Sequence, residues 1–105
     1  MQYANKITFF ERFEADIVAG KKVITIRDES ENNYLAGSVV DVATYEDGRQ
    51  FCQIKIESVK PILFDNLTEF HAQQENMTLT QLKQVITEIY PGVQQLYVIN
   101  YLLVI

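Results

Sequence analysis

The sequence predicts a protein of the α+β class, in which a sheet or barrel of short strands is flanked by helices. Three features indicate this class: a tight-turn signal at Asp47-Gly48, a helix start signal at Thr78, and a dense apolar run from Leu96 to Ile105. A chain of 105 residues is long enough to bury one core and too short for two. We therefore expect a single domain over residues 1–105.

The first predicted helix follows an apolar stretch from Ile7 to Phe10. Phe13, Ile17 and Val18 recur there at helical spacing, and Gly20 supplies the left-handed residue that ends a helix. The next apolar segment therefore starts just after Gly20.

A strand is predicted from Val23 to Arg27, with Ile24 and Ile26 on one face. Thr25 and Arg27 then share the other face. Lys22 precedes Thr25 by three residues, an offset that places two side chains on opposite faces of a regular strand. We therefore expect Lys22 to lie in the turn after Gly20, or in a bulge, where its long stem can swing toward Thr25.

A polar loop from Asp28 to Gly37 precedes a predicted β-hairpin. Its strands run from Val39 to Tyr45 and from Phe51 to Val59, joined by the Asp47-Gly48 turn. Pro61 is expected to end the second strand, because proline cannot donate a hydrogen bond to a sheet.

Two helices and a strand complete the predicted order. The first helix covers Leu67 to Gln74, and the second begins with a capping-box pattern formed by Thr78 and Gln81. Pro91-Gly92 ends the second helix. The run from Leu96 to Ile105 is apolar on both faces, which predicts a strand inside a sheet or barrel.

Composition restricts the cellular location and the binding partners of this protein. Hydrophobic residues make up 48% of the chain and charged residues 22%, as in ordinary folded proteins. The lone Cys52 cannot form an internal disulfide, and no segment resembles a signal peptide or is long enough to cross a bilayer. We expect a cytoplasmic protein without membrane contact.

The net charge of −5 argues against extended RNA or DNA as principal partner, because Lys and Arg supply affinity for phosphate backbones.

The sequence lacks the residues that several reaction classes require. One histidine, His71, and one cysteine cannot build a His-rich or Cys-rich metal site, and no glycine-rich loop for nucleotide phosphates is present. We therefore expect neither a metal nor a cofactor. His71 lies in the polar stretch EFHAQQEN and is interpreted as a solvated helical residue.

The segment Gly20 to Arg27, GKKVITIR, places charged and hydroxyl groups on an apolar strand. A threonine hydroxyl becomes a nucleophile when a base removes its proton, and an amine can be that base if burial or nearby positive charge lowers its pKa. Each residue also has a structural explanation: Lys22 as a solvated helix-end cation, Thr25 as a strand former, and Arg27 as an ion-pair partner. The candidate carboxylates for that pair are Asp28, Glu29 and Glu31.

Gly20, Lys22 and Arg27 match the G-x-K-x-x-x-x-R signature of ASCH domains, which are small PUA-like mixed β-barrels flanked by helices. The segments GKKVITIRDESE, EDGRQFC, EFHAQQENMTLTQLK and EIYPG further resemble the short bacterial ASCH proteins that hydrolyse N(4)-acetylcytidine. This resemblance covers nearly the whole chain.

The resemblance implies an amidohydrolase that converts N(4)-acetylcytidine to cytidine and acetate, acting on a linear amide bond. Lys22 would be the proton acceptor, Thr25 the nucleophile and Glu75 the proton donor. Arg27 is assigned to substrate binding, where it or backbone N–H groups would hold the oxyanion. The partner is then a small nucleoside, and a closed barrel of this length is expected to be a monomer.

Two alternatives remain open at this stage. One is a non-catalytic PUA-like module that binds RNA or a modified nucleobase, whose affinity would collapse with added salt. The other is an amidase for a different acylated base or amine. The sequence does not distinguish among free nucleoside, nucleotide and acetylated RNA as substrate.

Overall fold

The computed structural model describes residues 3–104, and it contains a five-stranded sheet with three α-helices. The α+β class is thereby confirmed. The strands are β1 (Lys6–Phe9), β2 (Ile24–Arg27), β3 (Val39–Thr44), β4 (Gln50–Leu63) and β5 (Gln95–Val104). The helices are α1 (Glu14–Val18), α2 (Glu69–Gln74) and α3 (Leu79–Ile89). Ile105, the last residue of the predicted final strand, lies outside the described residues.

The strand order is β1-β3-β4-β5-β2, with β1 parallel to β3 and the other pairs antiparallel. The sheet is mixed, as expected, but it is open rather than closed into a barrel. The edge strands β1 and β2 have four residues each and are linked by a side chain: Arg27 Nη2 donates to Thr8 O at 2.8 Å. The gap between these edges leaves room for a cavity.

Strand β5 lies between β4 and β2, which confirms the prediction of a core strand. Its side chains alternate between two apolar clusters. Ile99 and Tyr101 pack with residues of α1, β1, β3 and β4, whereas Leu96 and Val98 pack with α2, α3 and β2. Removal of these side chains from water supplies roughly 1.5–3 kcal/mol each.

The prediction that β4 ends at Pro61 is wrong, since the strand continues to Leu63. From Ser58 onward, β4 pairs with β5 on one side, and β3 pairs with β4 only as far as Lys55. Pro61, opposite Tyr97, therefore lies in a part of the strand that is an edge of the sheet. A proline is tolerated there because its missing N–H is not required by a second neighbour.

Local signals at the helix ends are confirmed. Gly20 has a φ of +74° and follows α1, and the capping box at α3 is formed in both directions. Thr78 Oγ1 accepts from Gln81 N at 3.1 Å, and Gln81 Oε1 accepts from Thr78 N at 3.0 Å. No helix within residues 3–104 is long and apolar enough to span a membrane.

The capping box generates the first prediction. Thr78→Ala removes the hydroxyl that accepts from the Gln81 amide, so we expect the free energy of unfolding to fall by about 1 kcal/mol. Thr80→Ala, at an exposed position in the first turn of the same helix, should change it by less than about 0.5 kcal/mol. Urea denaturation measures both, and equal effects of the two substitutions would contradict this account of the helix start.

Candidate active site

Lys22 lies in the turn between α1 and β2, as the sequence predicts. The backbone N–H groups of Lys21 and Lys22 both donate to Asp16 O, which bends the chain before the strand begins. The Lys22 side chain is only 3% exposed, and its Nζ donates to Ile24 O at 2.7 Å. The turn therefore directs an amine into the interior.

The aromatic rings of Phe9 and Phe13 surround this amine. Their centroids are 5.5 and 5.4 Å from Lys22 Nζ, within the range of cation–π attraction. Tyr101, from β5, donates its hydroxyl to Lys22 O at 2.8 Å. The rings exclude water while the phenol holds the backbone of the turn.

Glu75 is the C-cap residue of α2, and the helix ends in a Schellman motif. Asn76 has a φ of +59°, Asn76 N donates to Gln73 O, and Met77 N donates to Ala72 O. Asparagine tolerates the left-handed conformation that this motif requires. The motif turns the chain directly after Glu75 and so fixes the direction of its side chain.

Two hydrogen bonds hold the end of α2 against the Lys22 turn. Val23 N donates to Gln74 O at 2.9 Å, and Asn76 Nδ2 donates to Asp16 Oδ1 at 3.2 Å. Asp16 and Asn76, which are 60 positions apart in the chain, thereby meet. Lys22 and Glu75 are brought together by this backbone docking, and their side chains complete the contact.

Lys22 and Glu75 form a buried ion pair, with the Glu75 side chain also almost fully buried. Within residues 3–104, Glu75 Oε1 has no hydrogen-bond partner besides this ion-pair contact. Burial lowers the pKa of Lys22 well below its ordinary value, the charge of Arg27 lowers it further, and Asp16 opposes the shift. Because the amine and the carboxyl group are in contact, we expect their protonation equilibria to be coupled.

Thr25 is 4% exposed, and its Oγ1 accepts a hydrogen bond from Arg27 Nε at 2.8 Å. This bond confirms that the two side chains share a face of β2. An arginine can only donate, so the threonine hydroxyl keeps its own proton free for another acceptor. The hydroxyl is thus oriented by a cation while its proton remains available for transfer.

Arg27 also donates to Glu31 Oε1 at 3.2 Å and to Thr8 O at 2.8 Å. The structural alternative considered for Arg27, an ion pair with a carboxylate of the following loop, is therefore confirmed for Glu31. A guanidinium has five N–H donors, and these contacts use three of them. Substrate binding by Arg27 stays a prediction, with two N–H groups left to serve it.

The four predicted site residues line one cavity of about 500 Å³, within the ~300–1,000 Å³ usual for small-ligand sites. Its wall also includes aromatic and aliphatic side chains from β1, the turn before α1, and α3. The lining residues are Thr8, Phe9, Phe10, Arg12, Phe13, Lys22, Thr25, Ile26, Arg27, Glu31, Tyr45, Glu75, Met77, Leu82, Val85, Ile86, Glu88, Ile89 and Tyr90.

His71 lies outside the cavity and has a structural role in α2. Its Nδ1 accepts from Thr68 N at 3.1 Å in the capping box of α2, and burial lowers the pKa of the imidazole. It does not line the cavity. Within residues 3–104, no three His, Cys, Asp or Glu side chains cluster closely enough to hold a metal ion.

Sequence reasoning did not assign Phe13, Tyr90 and Tyr101 to the site. The sequence pattern predicts Phe13 only as an apolar helix position, and Tyr101 only as part of the core strand. Tyr90 and Tyr101 reach the site through contacts with distant segments, at Glu31 and Lys22, which single-sequence patterns do not report. Tyr90 had one available signal, its position directly before Pro91 at the end of α3, where a side chain is free to leave the helix face.

Comparison with known proteins indicates one family for this chain. The ASCH domain family model matches residues 1–90. The chain is 66% identical over 101 residues to an N(4)-acetylcytidine amidohydrolase of Vibrio vulnificus strain YJ016, covering 96% of this chain and 97% of that protein. A protein of that name from Vibrio atlanticus strain LGP32 is 69% identical over 98 residues, covering 93% and 94%. An ASCH domain crystal structure from Lactobacillus crispatus superposes with a TM-score of 0.76 at 17% identity, covering 96% and 80%.

The buried ion pair generates the second prediction. Lys22→Met leaves the Glu75 carboxylate buried without a partner, so the free energy of unfolding at neutral pH should fall by about 3–5 kcal/mol. The double variant Lys22→Met/Glu75→Met buries no charge at either position and should recover most of this loss. Urea denaturation measures both.

The exposed neighbour Lys21→Met is the matched control and should stay within about 0.5 kcal/mol of the unsubstituted protein. A double variant as unstable as Lys22→Met alone would show that the lost stability does not come from an unpaired buried charge.

Proposed function

Since this chain belongs to the ASCH domain family, we propose that it is an N(4)-acetylcytidine amidohydrolase in which Lys22, Thr25 and Glu75 perform the chemistry. The observation that best supports these roles is a lysine with a lowered pKa, in contact with a buried glutamate, in the same cavity as a threonine hydroxyl with a free proton. These are the groups that acyl transfer needs: a base, an acid and a nucleophile.

In the acylation step, the neutral amine of Lys22 accepts the proton of Thr25 Oγ1. The oxygen then forms a bond to the acetyl carbonyl carbon. Protonated Glu75 gives its proton to N4 as the C–N bond breaks, and cytidine leaves. The products of this step are an acetyl ester on Thr25, an ammonium at Lys22 and a carboxylate at Glu75.

Deacylation reverses these proton movements. Glu75 accepts a proton from water as the water oxygen attacks the ester, and Lys22 returns a proton to Thr25 Oγ1 as acetic acid leaves. The acid then ionises to acetate in solvent. The two residues thus alternate between a neutral pair and an ion pair. Their direct contact suits this alternation, because both states remain hydrogen-bonded without exposure to water.

The leaving group favours the reaction. The exocyclic amine of cytidine delocalises its electrons into the pyrimidine ring, so its acyl bond is weaker than that of an ordinary alkyl amide. Arg27 supplies substrate binding in this proposal: three of its N–H groups hold Thr25, Thr8 and Glu31, and the remaining two are donors for the developing oxyanion.

The charge of the cavity favours a neutral nucleoside. Its lining contains three basic side chains, Arg12, Lys22 and Arg27, and three acidic ones, Glu31, Glu75 and Glu88. A phosphorylated substrate would find no net positive charge. Together with the overall charge of −5, this makes the RNA-binding alternative the weaker one.

In this proposal, residues 1–105 form one ASCH domain that acts as a monomer in the cytoplasm. The family match ends at residue 90, but β5 pairs with both β2 and β4 and so belongs to the same sheet. The free Cys52 is compatible with a reducing compartment.

The third prediction concerns turnover. With N(4)-acetylcytidine as substrate, Thr25→Val, Lys22→Met and Glu75→Gln should each lower kcat by at least about 100-fold, since each removes a group that moves a proton or attacks the carbonyl. Loss of the acetylated base is followed by absorbance.

Lys21→Ala and His71→Ala are the controls for this experiment and should stay within about twofold of the unsubstituted enzyme, because neither side chain lines the cavity. Turnover that survives Thr25→Val in a folded protein would rule out the threonine nucleophile.

The fourth prediction concerns pH. The active pair carries one proton, with Lys22 neutral and Glu75 protonated, so kcat/KM should fall at high pH as that proton is lost. At lower pH, kcat/KM should rise with pH along a limb set by the lowered pKa of Lys22. Lys22→Arg should abolish this limb, because a guanidinium stays charged. A limb that persists unchanged in Lys22→Arg would assign the titration to another group.

A further inference from the structure

We infer that Glu31 and Tyr90 are positioning residues that set the orientation of the Thr25 hydroxyl through Arg27. This inference rests on the proposed function, and it adds two residues to which that function gives no part. Both act on the hydroxyl through the guanidinium of Arg27.

The four side chains form one continuous hydrogen-bonded chain. The Tyr90 hydroxyl donates to Glu31 Oε2, and Glu31 Oε1 accepts from Arg27 Nη1 at 3.2 Å. Arg27 Nε then donates to Thr25 Oγ1 at 2.8 Å. All four residues line the same cavity.

Arg27 needs this support because of its place in the fold. It is the last residue of β2, an edge strand of the open sheet, and its long side chain has many rotamers. Thr8 O holds one end of the guanidinium. Glu31 holds the other end, and two fixed ends keep Nε directed at the threonine.

Glu31 in turn needs Tyr90. Its side chain is 41% exposed, and an ion pair in such a place is weak and loosely oriented when it stands alone. The phenol of Tyr90 binds the second carboxylate oxygen and therefore fixes the plane of the group. Burial and the hydrogen bond to Glu31 both raise the pKa of Tyr90, so the phenol remains a donor across the physiological range.

The chain also connects distant parts of the protein. Glu31 lies in a short 3-10 turn, Glu29–Glu31, in the loop after β2, whereas Tyr90 caps the C-terminal end of α3. Correct docking of α3 is thereby transmitted to a hydroxyl on β2. A small displacement of a nucleophile is costly, with losses of about 100-fold for a misplacement on the order of 1 Å.

The test uses Tyr90→Phe and Glu31→Gln with N(4)-acetylcytidine as substrate. Tyr90→Phe removes one hydrogen bond at the end of the chain and should lower kcat about fivefold. Glu31→Gln weakens the charge-assisted bond to Arg27 and should lower kcat about tenfold. The double variant should be no slower than Glu31→Gln, because both act along one chain.

The matched controls are Tyr34→Phe and Glu29→Gln. Tyr34 also donates its hydroxyl, to Lys6 O at 3.0 Å, but outside the cavity, and Glu29 lies in the same 3-10 turn as Glu31. Both should leave kcat within about twofold of the unsubstituted enzyme. A purely structural role for Tyr90 would instead reduce the free energy of unfolding, as we expect for Tyr34→Phe, and leave kcat unchanged.

Three outcomes would overturn the inference: unchanged kcat in both variants, an increase confined to KM, or a double variant whose losses multiply. A separate readout is the hydrogen-exchange rate of the Arg27 Nε–H group, followed by NMR with labelled arginine. It should be faster in Tyr90→Phe than in the unsubstituted protein.

If the unsubstituted protein does not hydrolyse the nucleoside, the proposed function is wrong, and the exchange rate alone decides the inference. Unchanged exchange in Tyr90→Phe would overturn it, whereas faster exchange would support it.

Discussion

The contact between Lys22 and Glu75 is the constraint on which the rest of this structure depends. Removal of an ammonium and a carboxylate from water costs several kcal/mol per ion, and only close pairing offsets it. The fold provides this pairing through the backbone: the α1–β2 turn and the C-cap of α2 are joined by the Val23–Gln74 hydrogen bond. Either side chain without the other would be an unpaired charge in the core.

Burial of this pair also determines its chemistry. Phe9 and Phe13 enclose the amine, and desolvation lowers its pKa, so a proton can leave lysine under conditions where a solvated lysine keeps it. The Lys22–Glu75 contact therefore has two protonation states, an ion-paired one that matters for stability and a neutral one that matters for reactivity. The ion-paired state leaves neither buried charge without a partner, and in the proposed mechanism the neutral state provides the base for Thr25.

Local features of both fold and site were predictable from the sequence. The shared face of Thr25 and Arg27 follows from the two-residue period of a strand, and the displacement of Lys22 follows from its odd offset. The capping box at Thr78 is likewise a property of a few adjacent residues. In each case the determining interactions lie within one turn or one strand.

Features that depend on contacts between distant segments were not predictable from residue patterns. The prediction of Glu75 as a site residue depends on a family resemblance, because nothing in the QEN segment indicates that it contacts Lys22. The continuation of β4 past Pro61 depends on which strands flank it, and the open sheet depends on how two short edges pack around a cavity. The Tyr90–Glu31 bond joins residues 59 positions apart.

The most direct test of this account is an NMR titration of the Lys22 side chain, with the resonance assigned by comparison with Lys22→Met. The account predicts that the amine loses its proton well below the ordinary lysine range, and that Glu75→Gln changes the titration because the two groups are coupled. An ammonium that persists up to the ordinary lysine range would contradict it, because Lys22 would then be unable to serve as the base.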